Sequence, residues 1–426
     1  MTTCVTAQGA IGSFDLWGEM TPCVTAQGGK RAILTSEVKW LVKQQRGGSM
    51  QKDNLMKITN LRHELHMHPE LSMEEKETAQ RLRNFLIKNT GFQVIDRGSW
   101  FYALKKGTDG SRKIAFRADM DALPIPEDDA LSYHSRNAGV SHKCGHDGHC
   151  AALCGLALEL DKTETAPDIY LIFQPGEEIG RGAVFCRDLL RQEGISRIYA
   201  FHNLSGYPEG SVVFREGLTQ PASEGLRIRF EGRTSHASAP EEGRNPAGTV
   251  ARTILRAEEL TGDRTDGMLL CTVTGIRLGT GDFGISPGDA ELCMTLRAEK
   301  ESRMKQVEEQ IRRFAEEEAE RCGIRTSCSI HDYFPETRNH CECVRTVVSA
   351  ARELGLQVIP MKDMWRGSED FGWYLKECPG AIIYIGSGEE HPPLHTTGYD
   401  FNDKILETAV DLFRALAEGY FTSEVK

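Results

Sequence analysis

Apolar residues at helical spacing open the part of the chain whose pattern can be interpreted. A helix is predicted over 53–70, where apolar residues recur every three or four positions, at Leu55, Ile58, Leu61 and Leu65. Pro69 ends this helix because proline cannot continue the hydrogen-bonding pattern. A second helix is predicted over 73–89, and Gly91 stops it. The chain therefore begins its folded part with two helices.

Strand and helix patterns then alternate as far as residue 221. The predicted strands span 93–95, 101–104, 113–117, 168–173 and 197–201. The predicted helices between them span 148–160 and 182–192. Polar residues follow several of these strands. This alternation predicts an α/β domain with ligands at the strand ends.

The pattern changes near residue 222. Strands are predicted over 226–231, 269–278, 290–297 and 325–331, and amphipathic helices over 245–260 and 302–322. The resulting βαββαβ order is typical of an independent α+β unit. We therefore expect an inserted domain spanning 222–335.

The first domain is expected to resume after the insertion. A helix over 342–354, a strand over 381–385 and a helix over 403–418 follow. The predicted catalytic domain thus combines 51–221 with 336–426. Residues 1–50 stand apart, because CVTAQG occurs at Cys4–Gly9 and again at Cys23–Gly28. Two copies do not make a repeat protein, and we expect a mobile extension.

Composition narrows the classes of protein that fit. With 426 residues, 39% of them hydrophobic, the chain can bury a large core. A formal charge of -11 and a pI near 5.7 argue against nucleic acid or an anionic membrane as partner. No apolar run is long enough for a membrane helix, and the start lacks a secretory pattern. The thirteen cysteines do not form a dense framework, so we expect mostly free thiols in the cytoplasm.

Side chains that bind borderline-soft divalent metals occur at predicted loop and strand ends. The candidates are Cys144, His146, Glu178, His202 and His395. Taken singly, each has an ordinary explanation as a surface histidine, a solvated carboxylate or a buried thiol. The run HKCGHDGH changes this balance, because it crowds histidines, a cysteine and an aspartate into one glycine-containing loop. A metal site is the favoured interpretation.

Further acidic residues follow strands. Asp119 and Asp121 leave the strand over 113–117. In FQPGEE, an apolar strand ends at a Pro-Gly turn followed by Glu177 and Glu178. A carboxylate beside a metal can bind it or act as general base, and the residues alone do not assign these two roles.

Several motifs together resemble a known family. ADMDALP, HKCGHDGH, FQPGEE, FHN, GRTSHAS, RGSEDF and LHTTGYDFND occur in this order. This order is typical of the amidohydrolase branch of the aminoacylase and carboxypeptidase-G metallopeptidases, which includes hippurate hydrolases. The resemblance runs from about residue 53 to the end. It implies a zinc-peptidase-like three-layer catalytic domain with a ferredoxin-like lid and dimerisation domain.

The resemblance also implies a site with two divalent ions, zinc or manganese. Their ligands would be Cys144, His146, Glu178, His202 and His395. Glu177 would be the general base, and His236 would act from the partner subunit of a homodimer. Arg297 and Asn245 are the candidate substrate contacts. Asp119, Asp121 and Asp147 are expected to orient the ligands, and His142 and His149 can do the same.

The expected reaction is hydrolysis of N-acyl amino acids or related amides. One departure concerns the substrate, because DFGISP over 282–287 replaces a segment that supplies a substrate-contacting asparagine in relatives. The alternatives are a dipeptidase or carboxypeptidase, a binding protein that lost catalysis, and a metal-free hydrolase that uses Cys144 as nucleophile. The last leaves Glu177, Glu178 and His395 without a function.

Overall fold

The computed structural model describes residues 50–128, 130–262 and 265–418. The duplicated CVTAQG segment and the predicted extension over 1–50, apart from Met50, lie outside the described residues. Within them, no helix is both long and apolar enough to cross a lipid bilayer.

The strands, in chain order, are β1 (Gln93–Asp96), β2 (Phe101–Lys105), β3 (Lys113–Asp119), β4 (Asp168–Gln174), β5 (Arg197–Ser205), β6 (Val212–Phe214), β7 (Gly217–Gln220), β8 (Ala222–Glu231), β9 (Ser235–His236), β10 (Leu269–Leu278), β11 (Ile285–Ser286), β12 (Asp289–Ala298), β13 (Arg325–Phe334), β14 (Thr337–Asn339), β15 (Val358–Pro360) and β16 (Gly380–Gly388).

The α-helices are α1 (Lys52–Met67), α2 (Lys76–Asn89), α3 (His146–Leu160), α4 (Gly182–Cys186), α5 (Asp188–Glu193), α6 (Ala247–Thr261), α7 (Glu301–Arg321), α8 (Cys341–Glu353), α9 (Gly372–Leu375) and α10 (Leu406–Glu418). Short 3-10 helices span Pro240–Glu242 and Asp403–Ile405.

The largest sheet has eight strands in the order β1-β2-β4-β3-β5-β16-β6-β15. Strands β4, β3, β5 and β16 are consecutive and parallel, so their carboxyl ends lie along one edge. One face packs against α1, α2, α3, α8 and α10, and the other against α4, α5 and α9. The predicted three-layer α/β architecture is confirmed.

A second sheet spans residues between 222 and 334. Its four antiparallel strands have the order β10-β12-β8-β13. Helices α6 and α7 cover one face around a separate apolar core that contains Leu226, Ile228 and Phe230. The β-α-β-β-α-β chain order of this sheet, with the strand order above, is the predicted ferredoxin-like arrangement. Strands β9 and β11 form an additional short ribbon, in which His236 lies opposite Ile285.

Three predicted helices differ from the structure. The helix over 182–192 is two short helices that join at Arg187 and end at Gly194, which has a left-handed backbone. The helix predicted from residue 73 begins at Lys76, after Met73 with a positive φ. The helix predicted from residue 148 begins at His146, so a predicted loop residue lies in the first helical turn. Apolar periodicity does not reveal such ends, because loop contacts set them.

Candidate metal centre

The predicted ligands meet at the carboxyl edge of the large sheet. Cys144 Sγ lies 3.4 Å from His202 Nε2 and 3.3 Å from His395 Nε2. Glu178 Oε1 lies 3.5 Å from His395 Nε2 and 3.8 Å from His146 Nε2. These residues also form overlapping groups whose ligand atoms lie within 4.8 Å of one another. Segments far apart in sequence thus bring thiol, imidazole and carboxylate donors together.

Two of the converging atoms have no hydrogen-bond partner. His146 Nε2 and Glu178 Oε1 are both buried, and nothing within the part of the chain that the structure describes satisfies them. An unsatisfied buried polar atom costs about 1–3 kcal/mol. A cation bound between these atoms removes that cost, so the donor set fits a divalent metal ion in both chemistry and placement.

The surrounding charge also favours a cation. Burial alone lowers the pKa of His146, but Asp119, Asp121 and Glu178 outweigh burial and raise this pKa to about 10. Burial, followed by Glu178 and Glu177, raises the pKa of Cys144 well above its usual value. A thiolate at this position therefore needs a positive charge beside it, which a metal ion supplies.

Unusual backbone conformations allow the ligands to converge. Gly145, directly before α3, has a φ of 97°. A Cβ atom there would lie 2.5 Å from Asn203 Oδ1 and 2.7 Å from Tyr399 Oη, so only glycine fits. His395 has a φ of 61°, and its N–H donates to the Lys143 carbonyl at 2.8 Å. Such strain is held at functional sites by the surrounding contacts.

Asp119 and Asp121 hold histidines at this edge. Asp121 accepts hydrogen bonds from Ser72 Oγ and from the Glu178 N–H, and its side chain lies 3.2 Å from His146 Nδ1. Asp119 Oδ1 lies 2.6 Å from His149 Nδ1. These contacts hold the rings of His146 and His149. The role of the two aspartates in orienting metal ligands stays a prediction.

Asp147 contacts a different part of the molecule. Its carboxylate lies 3.0 Å from Arg62 Nε and 2.7 Å from His66 Nδ1, and all three residues are buried. The contact ties the first turn of α3 to α1. Asp147 can therefore position the neighbouring His146 through the helix, without contacting its ring.

Glu177 lies beside the ligands in a buried acidic group. Its Oε2 is 4.0 Å from His146 Nε2, and the Asp370 N–H donates to its Oε1 at 3.4 Å. Burial, followed by Glu369, Glu178 and Asp370, raises the pKa of Glu177 well above its usual value. A carboxylate with a raised pKa is suited to accept a proton and give it back.

Arg117 is the important residue that the sequence reasoning missed. Its guanidinium lies 2.7 Å from Asp119, 3.0 Å from Glu369 and 2.9 Å from Asp370. It also donates to Gln174 Oε1 at 2.9 Å. The sequence does contain one indication of this role, since Arg117 is a lone cation in the otherwise apolar end of β3. A buried charge needs partners, so a cation at such a position indicates ion pairs. Glu369 also accepts from the Phe371 N–H, directly before α9.

The remaining candidates lie outside this cluster. His236 is exposed, and its Nδ1 contacts Ser238 Oγ at 2.7 Å. The half-buried Arg297 donates to the Arg366 carbonyl and to Ser368 Oγ, both at 2.9 Å. Asn245 donates to Ser286 Oγ at 3.2 Å and caps the start of α6 through Ala247 N–H. Among the described contacts, none joins these three residues to the predicted ligands.

Comparison with known proteins gives consistent matches. The model of the family described as peptidase family M20/M25/M40 matches residues 115–419. The N-acetylcysteine deacetylase of Bacillus subtilis (strain 168) is 29% identical over 369 residues, covering 85% of this chain and 96% of the relative. The hippurate hydrolase of Campylobacter jejuni is 30% identical over 374 residues, covering 84% and 95% respectively.

Solved structures also resemble the whole described fold. A putative aminohydrolase from methicillin-resistant Staphylococcus aureus has a TM-score of 0.78 at 26% identity, covering 87% of this chain and 97% of that one. A Bacillus subtilis protein described as a dinuclear metal binding peptidase of the M20 family has a TM-score of 0.73 at 28% identity, with coverage of 86% and 98%.

Proposed function

The chain belongs to peptidase family M20/M25/M40, and on this premise we propose that it cleaves N-acyl amino acids or related amides. It is a hydrolase of amide bonds from the amidohydrolase branch, with a dinuclear metal-binding fold. The observation that carries the proposal is the convergence of Cys144, His202 and His395 with the unsatisfied atoms of His146 and Glu178.

These five residues would hold the metal ions. Zinc suits thiolate and imidazole donors, and manganese suits the carboxylate, so both remain candidates. When bound, the ions supply Lewis-acid activation of water and of the amide carbonyl. Asp121 keeps the His146 ring in place, and Asp119 does the same for His149.

Glu177 is proposed as the general base. It takes a proton from the attacking water and delivers it to the leaving nitrogen, so the carboxylate is regenerated in each turnover. The neighbouring Glu178 is proposed as a ligand because its Oε1 lies between His146 and His395.

Arg297 supports an amine product that carries a carboxylate. Within the described residues its guanidinium contacts a carbonyl and a hydroxyl but no carboxylate. Such a cation can pair with a substrate carboxylate. This feature suits N-acyl amino acids and also the C-terminus of a peptide, so a carboxypeptidase-type activity is the second candidate. Asn245, in the loop before α6, is also proposed to contact the substrate.

His236 is proposed to stabilise the oxyanion from a second copy of the chain. Within one chain it is exposed and contacts no predicted ligand among the described residues. Strand β10 is an edge of its sheet and exposes Val273, Ile276 and Leu278 by 38%, 55% and 37%. An exposed apolar edge favours pairing with another chain. We therefore propose a homodimer through this sheet.

The rival mechanisms fit less well. A metal-free cysteine hydrolase needs a thiolate, whereas burial and Glu178 raise the pKa of Cys144. A protein that binds without catalysis does not need Glu177 next to the ligands, and Glu177 is there. The cysteines of the described residues are free, which fits the predicted cytoplasmic location, and that location stays a prediction.

A substrate panel after metal exchange tests the proposal. We expect chelation to abolish hydrolysis of N-acetyl, N-benzoyl and p-aminobenzoyl amino acids, and zinc or manganese to restore it. Faster cleavage of dipeptides than of every N-acyl amino acid would favour the carboxypeptidase-type candidate. Full activity after complete metal removal would overturn the metal mechanism.

A further inference from the structure

A cavity of about 530 Å³ lies between the loop that follows Glu178 and the end of strand β13. Exposed apolar side chains concentrate in it. Phe185, Ile330 and Val184 line it and are 45%, 43% and 38% exposed. Exposed apolar residues that cluster in a concave site, rather than scatter singly, indicate a ligand surface.

Two exposed side chains of opposite charge also line this cavity. Arg181 and Asp332 make no side-chain hydrogen bond or ion pair within the described stretches of the chain. Asp332 lies at the irregularity between His331 and Phe334, where the pairing of β13 with β8 shifts, and its φ is 46°. An aspartate with a left-handed backbone conformation is strained. The β-bulge at this position changes the direction of the strand.

Trp373 also lines this cavity. Its indole Nε1 is buried and has no hydrogen-bond partner among the described atoms. Arg187 and Lys376 lie 4.5 Å and 4.4 Å from the indole ring centroid, so cations contact the ring.

We propose that this cavity binds a free α-amino acid with an apolar side chain. Its carboxylate would pair with Arg181, and its ammonium would pair with Asp332. Its side chain would pack against Phe185 and Ile330. A cation, an anion and an apolar wall match the groups of a zwitterionic apolar amino acid.

The position of the cavity gives such binding a consequence. Gly180 packs so closely on β13 that an added Cβ atom would lie 2.4 Å from the Tyr333 carbonyl oxygen. The loop that carries Glu177 and Glu178 is therefore held against the strand that leaves the inserted sheet. A ligand in the cavity would contact both this loop and strand β13. If the proposed function holds, the ligand is of the same class as the amine product, although the binding itself does not depend on that function.

Binding of L-phenylalanine to the metal-loaded full chain, followed by calorimetry, tests this site. We expect Arg181→Gln and Asp332→Asn each to weaken binding about tenfold or more. The probes 3-phenylpropanoate and 2-phenylethylamine, each lacking one charge, should bind the wild type more weakly than L-phenylalanine. Asparagine tolerates the left-handed backbone, so Asp332→Asn removes the charge without new strain.

Arg297→Gln is the control, because L-phenylalanine could also occupy the cleft as a product. We expect this variant to keep the calorimetric affinity. Affinity that falls in Arg297→Gln and stays unchanged in Arg181→Gln would overturn the proposal, and so would absence of binding to the wild type. The substrate panel is scored separately on the same samples, so a chain that binds L-phenylalanine but hydrolyses no amide would refute only the proposed function.

Discussion

The largely buried ligand cluster and the exposed β9/β11 ribbon both carry residues predicted to act in one reaction, yet they differ in burial and in the contacts they make. His146 is fully buried and its contacts come from the large sheet. His236 is exposed, and its ring bonds only to Ser238 among the described residues. The ligand cluster assembles within one chain, whereas the ribbon needs a second chain to complete the proposed site.

The largest expected effect lies in the buried region. Glu177→Gln removes the proposed base while keeping the shape of the side chain. We expect kcat to fall about 10²–10⁴-fold, the usual contribution of general acid–base catalysis, in steady-state assays of N-acyl amino acids. The exposed Glu390→Gln is the matched control. If both variants remain within tenfold of the wild type, Glu177 is not the base.

The exposed ribbon should show the next largest effect. His236→Ala removes the proposed oxyanion donor, so we expect kcat to fall about 10²–10³-fold. If His236 acts across a dimer, mixing this variant with Glu177→Gln should restore roughly a quarter of wild-type activity, because half of the dimers are mixed and each has one intact site. Each variant alone is the control. Subunit exchange without any recovery would place His236 outside the partner's site.

Arg117→Met tests how strongly the acidic surroundings of the buried region depend on one cation. Removing it leaves Asp119, Glu369 and Asp370 without their shared counter-charge. We expect the free energy of unfolding in urea to fall by about 3–5 kcal/mol. The exposed Arg191→Met should change it by less than about 0.5 kcal/mol. Similar values for both variants would contradict the proposed electrostatic arrangement.

A smaller effect should appear in the inserted unit that carries the ribbon. Burial, with Glu308 and Glu301 adding to it and Lys305 opposing it, raises the pKa of Glu224 to about 7. The native state therefore holds this proton more tightly than the unfolded state, and stability falls as pH rises from about 4.5 to 7. Glu224→Gln should remove that fall and gain about 2 kcal/mol at pH 8. The free energy of unfolding, measured by chemical unfolding across this pH range, checks the prediction. If it changes with pH in parallel for wild type and variant, the prediction is wrong.

The location of the ligand cluster could be predicted because the ends of strands can be recognised in the sequence. Residues toward the carboxyl ends of parallel strands must meet at one edge. Asp119 at the end of β3, Glu178 after β4 and His202 in the carboxyl half of β5 do so. The ligand set itself came from the family resemblance. The apolar period also predicted the inserted sheet and the helices that cover it.

Other features could not be predicted from the sequence pattern, for physical reasons. Arg117 acts through contacts with residues more than 250 positions away, such as Glu369, and periodicity carries no information on such pairs. The split at Arg187 depends on local turns, because the apolar spacing continues through it. The cavity between Arg181 and Asp332 joins two elements of different sheets. Its unpaired charges become visible only once the chain is folded.

Metal content per chain is the measurement that tests the central claim most directly. By elemental analysis of dialysed samples, we expect about two divalent ions per chain in the wild type and in Glu177→Gln, as in two-metal hydrolytic sites. Glu178→Gln should lose metal, because it removes a ligand. A full metal complement in Glu178→Gln together with loss in Glu177→Gln would reverse the proposed roles of the two glutamates. An active wild type without stoichiometric metal would contradict the account as a whole.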